Sequence, residues 1–361
     1  MRRQIEPERA APADENKKMI ARKRAAAFAA VLALAVAIPA ATPAHAGILE
    51  QVRARKSLAC GVDPGLAGFA AADSAGIWHG LDVDYCRAIA AAVLGDPAAV
   101  TFVPLTERER FAALQSGEVD VLIRDTAWTM GRDGTFGVTV AGVNYYGGLG
   151  FMVPRALGVD SALQLTGANV CVETGSATEV AIGQYFKAHG MNIVPVPVES
   201  AEAGRAAYAS GVCNVMTGDT IALYGVRLAL PRPDDNMVLP EIVSKNAYGP
   251  VVKASDWRWA AVVRWVHFAL IDAEELGVTA ANVAAMRGDE NADVRQLLGV
   301  DGSFGKSLGL DNSWAANAIR AVGNYGEIFD RNLGAGSSLK ITRGLNALWT
   351  NGGIQYAPPV R

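Results

Sequence analysis

The chain has 361 residues, 51% of them apolar and 19% charged, with a formal net charge of −3. That length and apolar content suffice for one large or two medium domains with proper cores. Residues 1–46 hold 8 Lys/Arg and 4 Asp/Glu, so the rest carries 25 basic and 32 acidic residues, net −7, which argues against the basic face that nucleic acid requires.

The N-terminus reads as an export signal. Lys17, Lys18, Arg22, Lys23 and Arg24 precede an apolar run from Ala25 to Ile38, then Pro39 and Ala44-His45-Ala46. A basic flank, a short apolar core and a small-x-small end predict a secretory signal peptide cleaved after Ala46, hence an exported protein. The run is too short to cross a bilayer comfortably. Met19 offers an alternative start, residues 1–18 then being a spurious or disordered extension.

Strand and helix signals alternate after that. Lys56 to Val62 predicts a strand, punctuated by Asp63-Pro64-Gly65, and Asp82 to Leu94 a helix with Asp82 as candidate cap and Gly95-Asp96-Pro97 as stop. Val100 to Pro104 is a second strand and Glu107 to Ser116 a second helix. Val119 to Arg132, VDVLIRDTAWTMGR, opens as a short buried strand and closes on a hydroxyl-rich turn carrying Thr126, Trp128, Thr129 and Arg132. In an open α/β sheet ligands bind beyond the carboxyl ends of the strands, so this stretch is a candidate site. Arg suits it, because the planar guanidinium holds a carboxylate through two parallel hydrogen bonds.

Gly147 to Gly150 marks a crossing into a second alternating set: strands at 169–173, 193–198 and 212–217, and helices from Thr174 to about His189, 201–210 and 220–230. Met237 to Val243 is the last strand of this set, and Tyr248-Gly249-Pro250 looks like the chain crossing back. From Asp256 the chain is largely helical, with helices expected near 279–286, 291–298 and 312–331. Alternation of this kind means mostly parallel sheets covered on both faces.

Four cysteines remain after the signal: Cys60, Cys86, Cys171 and Cys213. An even number in an exported chain favours two disulfides. The arrangement suggests one pair in each half, Cys60–Cys86 and Cys171–Cys213, though three connectivities are open. Metal and enzyme signatures are weak. His79, His189 and His267 pair with no cysteine or second histidine at ligand spacing, and neither H-E-x-x-H nor G-x-S-x-G occurs. Gly305-Lys306-Ser307 imitates a P-loop ending, but Val300 stands where its first glycine should. Asp82 and Asp84, two apart on a helix start, do not face each other.

Ser176 at a helix N-terminus and Asp219 after a strand complete the pattern. Free helix N–H groups attract a carboxylate and an Asp attracts an ammonium. A cleft with Arg132 on one side and Asp219 on the other is what an amino-acid zwitterion requires, with no catalysis, cofactor or metal implied.

Long stretches now point to a family: GLDVDYCRAIAAAVLGD (80–96), RFAALQSGEVDVL (110–122), AGVNYYGGLGFMV (141–153), GNYGEIFDRNLGAGSSLKITRGLNALW (323–349) and the final GGIQYAPPVR. Over essentially all of the chain after the signal, it resembles the periplasmic solute-binding proteins of polar amino-acid ABC transporters, most closely the long, general L-amino-acid-binding branch. The resemblance implies a two-lobed α/β fold of the type II periplasmic-binding-protein class. A two-strand hinge would join lobe 1 (47–149, resuming at 249–361 with a helical C-terminal extension) to lobe 2 (150–248). It implies a monomer that encloses an L-amino acid and delivers it to inner-membrane permease subunits. Arg132 would hold the ligand α-carboxylate with Gly175 and Ser176, and Asp219 the α-ammonium. Thr126, Ala127 and Arg110 belong to the same ligand-binding set, and Asp63, Leu66 and Phe69 would line the side-chain pocket. Two positions depart from the family: Ala127 and Ala177 stand where hydroxyl residues are usual, each losing a side-chain hydrogen bond worth about 1 kcal/mol. Asp63, where Asn is more usual, either favours cationic side chains or bonds its own turn. A cyclohexadienyl-dehydratase-like enzyme on the same fold is the alternative.

Overall fold

The computed structural model describes residues 47–361, so the expected signal peptide, its cleavage site and the start residue lie outside the described residues. Two five-stranded sheets form the frame. The chain enters through α1 (Ile48–Arg55), β1 (Leu58–Val62), the short pair β2 (Ala71–Ala72) and β3 (Trp78–His79), α2 (Leu81–Leu94), β4 (Val100–Pro104), α3 (Arg110–Ser116), β5 (Val121–Leu122), α4 (Met130–Phe136) and β6 (Val138–Val140). β1 lies between β4 and β5, parallel to both. Almost every residue of α2 is buried. That marks it as a core helix rather than an amphipathic surface one.

The chain then runs through β7 (Tyr145–Gly147) into the second sheet. This is built from β8 (Leu149–Pro154), β9 (Asn169–Glu173), α5 (Ala177–Ala188), β10 (Val194–Val198), α6 (Ala201–Ala209), β11 (Val215–Asp219), α7 (Thr220–Ala229) and β12 (Asn236–Val238). Strand order is β10-β9-β11-β8-β12, with β8 antiparallel to both its neighbours. The return passes through β13 (Asn246–Tyr248), which pairs antiparallel with β7. β14 (Val251–Lys253) then inserts between β5 and β6 of the first sheet. The β7–β13 ribbon is therefore the two-strand connection between the lobes. Gly249 permits the crossing, because a Cβ there would lie 1.9 Å from the Gly142 carbonyl oxygen.

The C-terminal third supplies α8 (Trp257–Glu275), α9 (Ala292–Leu297), α10 (Phe304–Ser307), α11 (Trp314–Val322) and α12 (Tyr325–Asn332). Trp259, Ile319, Phe329, Leu339 and Leu348 share one continuous core with Val62, Ile89 and Val121, so the extension is built into lobe 1. Asp84 on α2 accepts hydrogen bonds from Arg331 (2.6 Å) and Asn332 (2.7 Å) of α12. Beyond α12 the chain grips the connecting ribbon: buried Asn346 accepts from the Tyr146 N–H (2.6 Å) and donates to its carbonyl (2.9 Å). Arg227 of α7 donates to the Leu339 carbonyl (2.6 Å), tying lobe 2 to the same segment.

The disulfides are Cys60–Cys86, joining β1 to α2, and Cys171–Cys213, joining β9 to the approach to β11. Several element expectations need correction. The helix near 312–331 is two helices, because Gly323 takes φ 82° and Asn324 starts a new capping box with Glu327. Residues 279–286 make turns and one 3₁₀ turn at Ala285–Gly288 rather than a helix. The strand expected over 237–243 stops at Val238. Asp82 is not a cap: α2 is capped by Gly80 at φ 133°, and the Asp82 side chain turns inward.

Candidate functional site

β1 and β5 run side by side and parallel, so their carboxyl ends deliver residues 63 and 124–126 to one edge of lobe 1. Just beyond, the expected polar turn winds into α4, with the Thr129 hydroxyl accepting from the Arg132 N–H at 3.3 Å. Arg132 thus stands in the first turn of a short helix. Its guanidinium reaches back to donate to the Ala127 carbonyl, lies 3.9 Å from Glu107 and sits 6.0 Å from the Phe111 ring centroid. About a quarter of the side chain remains exposed. Arg110 is close by, buried, donating to Glu107 at 2.9 Å, with its Nε unpaired. Burial and then the Arg132 charge pull its pKa below the ordinary arginine value.

Thr126 is buried, its hydroxyl donating to the Arg124 carbonyl at 3.1 Å, and so supports the turn from behind. Ala127 forms an antiparallel bridge with Tyr248 of β13, and the Trp128 N–H donates to the Ala247 carbonyl at 2.7 Å. Backbone pairing to the hinge therefore holds position 127 without a hydroxyl.

Asp219 closes β11 and caps α7, accepting from the Ile221 N–H at 3.0 Å. Its other oxygen accepts from Asn246 (3.0 Å) and from the Tyr248 hydroxyl, both on β13. Burial and then the Asp219 charge raise the Tyr248 hydroxyl above the usual phenol range. Tyr248 thereby links the two sides: its backbone pairs with Ala127, beneath Arg132, and its hydroxyl with Asp219. Asp219 also lines a cavity of about 330 Å³ at the carboxyl ends of β9 and β11, with Glu173, Thr178, Thr217, Glu202 and Arg205.

Gly175 and Ser176 lead into α5. Ser176 caps it, accepting from the Glu179 N–H at 3.1 Å, while the Gly175 N–H, at φ 73°, donates to the Glu179 carboxylate at 2.7 Å. The helix start does attract a carboxylate, and in this state it is its own.

The side-chain pocket residues separate. Phe69 is buried at 1% exposure with its ring edge-on to Tyr145 at 5.1 Å, packed in the lobe 1 core. Leu66 is partly buried against that core. Asp63 accepts from the Gly65 N–H at 2.9 Å, bonding its own turn, and pairs with Arg124 at 2.7 Å.

Sequence reasoning picks out Arg132 and misses its neighbours Arg124 and Asp125. Arg124 is buried; its Nε donates to the Leu105 carbonyl at 2.9 Å. Asp125 holds φ 38°, a strained backbone for a non-glycine residue, and one of its carboxylate oxygens is buried without a hydrogen bond. Its N–H donates to Asp82 at 3.2 Å, and Asn144 donates to the same carboxyl at 3.1 Å. Burial pushes both Asp82 and Asp125 up to about 7; for Asp125, opposing Arg124 and Arg110 is the field of Asp63 and of Asp219. The available signal was two charged residues directly after an apolar strand.

Residues 58–291 match the model of the bacterial extracellular solute-binding proteins, family 3. The chain is 50% identical over 336 residues to the general L-amino acid-binding periplasmic protein AapJ of Rhizobium johnstonii, covering 92% of this chain and 98% of the relative. It is 48% identical over 340 residues to the glutamate/glutamine/aspartate/asparagine-binding protein BztA of Rhodobacter capsulatus, covering 94% of this chain and all of the relative. Among solved structures, a periplasmic binding protein of Brucella ovis with glutathione bound is 54% identical, with a TM-score of 0.76 over 88% of this chain and all of that one. The chain belongs to the family 3 bacterial extracellular solute-binding proteins.

Proposed function

We propose that this protein is the periplasmic substrate-binding component of an amino-acid ABC importer. Lobe 1 (47–149 and 249–361) and lobe 2 (150–248) close around an L-amino acid, and the closed form docks on the membrane permease. The observation that carries this reading is the linkage of Arg132 to Asp219 through Ala127 and Tyr248 across the β7–β13 ribbon. One lobe offers a carboxylate fork, the other an ammonium acceptor, with the hinge between them. Closure then needs only that the ligand bind the closed state better than the open one. Arg132 and the helix start at Gly175–Ser176 take the α-carboxylate, and Asp219 takes the α-ammonium. Glutathione, bound by the Brucella relative, carries the same zwitterionic head on its γ-glutamyl end, so one grip serves either ligand class.

Binding rather than catalysis fits the histidines. His267 is buried on the Tyr85 hydroxyl (2.9 Å) with its pKa lowered by burial to about 3, His79 pairs with Asp73, and His189 bonds the Tyr185 carbonyl.

A melting-temperature screen against the twenty L-amino acids and glutathione tests the proposal. Ligand at about 100 times its Kd stabilises the folded state by about 2.7 kcal/mol, a shift of several degrees. Arg132→Ala should remove every shift, and the bound compound should be recovered unchanged. No shift with any compound overturns the importer reading; wild-type binding by Arg132→Ala overturns the residue assignment.

A further inference from the structure

The helix that begins at Asp219 is shared between the two lobes. α7 turns Leu223 and Val226 toward the lobe 2 cluster around Met152 and Tyr208. Its Ile221, Tyr224 and Leu228 join the core of lobe 1 instead. Those three stand at i, i+3 and i+7, one stripe of a helix. Arg227 beside them is buried, and donates to the Leu339 carbonyl (2.6 Å) and the Ser338 carbonyl (3.3 Å). Both acceptors belong to a loop of the C-terminal extension that closes on itself, the Ile341 N–H donating to the Leu333 carbonyl at 2.8 Å. The loop is seated on lobe 1: a Cβ at Gly68 would lie 2.3 Å from Leu339 Cδ1 and 2.7 Å from Leu333 Cδ2.

Asp219 caps α7, so the helix and the proposed ammonium acceptor move as one piece. Arg227 lies about 12 Å further along the axis. Asn346 holds β7 to the extension, so a turn of lobe 2 about the β7–β13 ribbon swings Arg227 at the end of a lever. A hydrogen bond does not survive a shift of a few ångströms. The contact is therefore made in one arrangement of the lobes and broken in another. It belongs to the arrangement seen here, in which the ligand-gripping groups bond within the chain: Arg132 to the Ala127 carbonyl and Gly175 to Glu179. Release costs Arg227 little, since Asp234 of its own lobe lies 4.0 Å away and its Nε, buried without a partner, would gain water.

We propose that Arg227 and the stripe of Ile221, Tyr224 and Leu228 form a catch that holds lobe 2 open against the 333–341 loop. Closure breaks the catch, so ligand affinity is set in part at a surface remote from Arg132 and Asp219. The proposal rests on the importer reading above.

Arg227→Met removes both hydrogen bonds and keeps an apolar stem on the stripe. Calorimetric titration with L-glutamine, L-glutamate and L-arginine reads the result; if none of the three binds, the compound with the largest shift in the melting screen replaces them. Loss of a contact made only in the open form should tighten binding by roughly tenfold, the scale of a charge-assisted hydrogen bond. The factor should be the same for every compound that binds, because the catch does not meet the ligand. A merely structural Arg227 would lower the melting temperature without tightening binding. Arg227→Lys, whose ammonium can still donate to a carbonyl, should stay within about threefold of the wild type. All four cysteines are paired, so Leu228→Cys adds a single thiol on the stripe. Its alkylation should run roughly threefold or more faster with the titrated compound bound, a readout that stands if Arg227→Met fails to fold. Unchanged or weaker binding by Arg227→Met, factors that differ among compounds, or a thiol that ligand protects or leaves unmoved overturns this inference and leaves the importer reading standing. A wild type that binds nothing in the full screen removes both.

Discussion

The two lobes share an architecture and differ in how they are held. Lobe 1 has a large core that runs from β1 and α2 through the C-terminal helices to Val360, with a second cluster around Phe111, Leu122 and Val140, and its site residues are locked by contacts between distant elements: Asp63 with Arg124, Asp125 with Asp82. Lobe 2 divides its apolar residues between two small clusters, one around Phe151, Ile182 and Phe186, the other around Met152, Tyr208 and the Cys171–Cys213 bridge. Its helix-start residues are held locally, Gly175 and Ser176 by Glu179 four and three positions on. Small cores stabilise weakly per residue, and cross-links then matter more. Lobe 1 is thus expected to be the more rigid, pre-formed half and lobe 2 the more adaptable one.

Removing the disulfides gives the sharpest test of that difference. The bridges span sequence separations of 26 and 42. Their chain-entropy contributions are similar, about 3.5 and about 4 kcal/mol, so any large divergence must come from the cores. Cys171→Ala/Cys213→Ala should split the calorimetric melt, with lobe 2 unfolding first. Cys60→Ala/Cys86→Ala should lower a single transition. If the lobe 1 variant is the one that splits, the contrast drawn between the cores is wrong.

A smaller effect should appear in the pH dependence of stability, and it belongs to lobe 1. Asp82 and Asp125 are raised from 3.8 to about 7, in both cases first by burial. Between about pH 4 and 7 the folded chain therefore holds protons that the unfolded chain has released. Their contribution is fully present at the acid end of that window and is lost as pH rises through 7. The melting temperature should fall by a few degrees from pH 5.5 to 8, and Asp82→Asn should flatten the slope. A slope of the opposite sign, or one unchanged in Asp82→Asn, would remove these carboxyls from the account.

The lobe contrast also explains what sequence could and could not reveal. Alternating strands and helices, the crossings at Gly147 and Gly249, and Arg132 and Asp219 as ends of strand-edge turns follow from local pattern and turn chemistry. α4 does not: MGRDGTF has two glycines and no apolar stripe, so only the Thr129 cap announces it. Asp82 reads locally as a helix cap, whereas its role depends on Asn144 and Asp125, 62 and 43 residues away. The Asp63–Arg124 pair spans 61 residues and exists because β1 and β5 are neighbours. Those are the long-range contacts that make lobe 1 rigid, and they are what local reading misses. Lobe 2's local cap at Ser176 was legible for the same reason it is adaptable.

The smallest expected effect concerns Glu179. Its carboxylate sits on the Gly175 N–H, the donor proposed for the ligand's α-carboxylate, so ligand and side chain compete for one amide. Glu179→Gln keeps a carbonyl oxygen for that amide but removes the negative charge beside the incoming anion. Binding should tighten by roughly two- to fivefold, the scale of a partly exposed charge at a helix start. Stability should fall slightly, since a carboxylate in the first turn favours the helix by about 0.3–1 kcal/mol. The two readouts move in opposite directions, which a merely structural role for Glu179 does not produce. Weaker binding by Glu179→Gln would mean that the carboxylate assists the ligand, by holding the loop for it, and lobe 2 would then be as pre-formed at its helix start as lobe 1 is at Arg124.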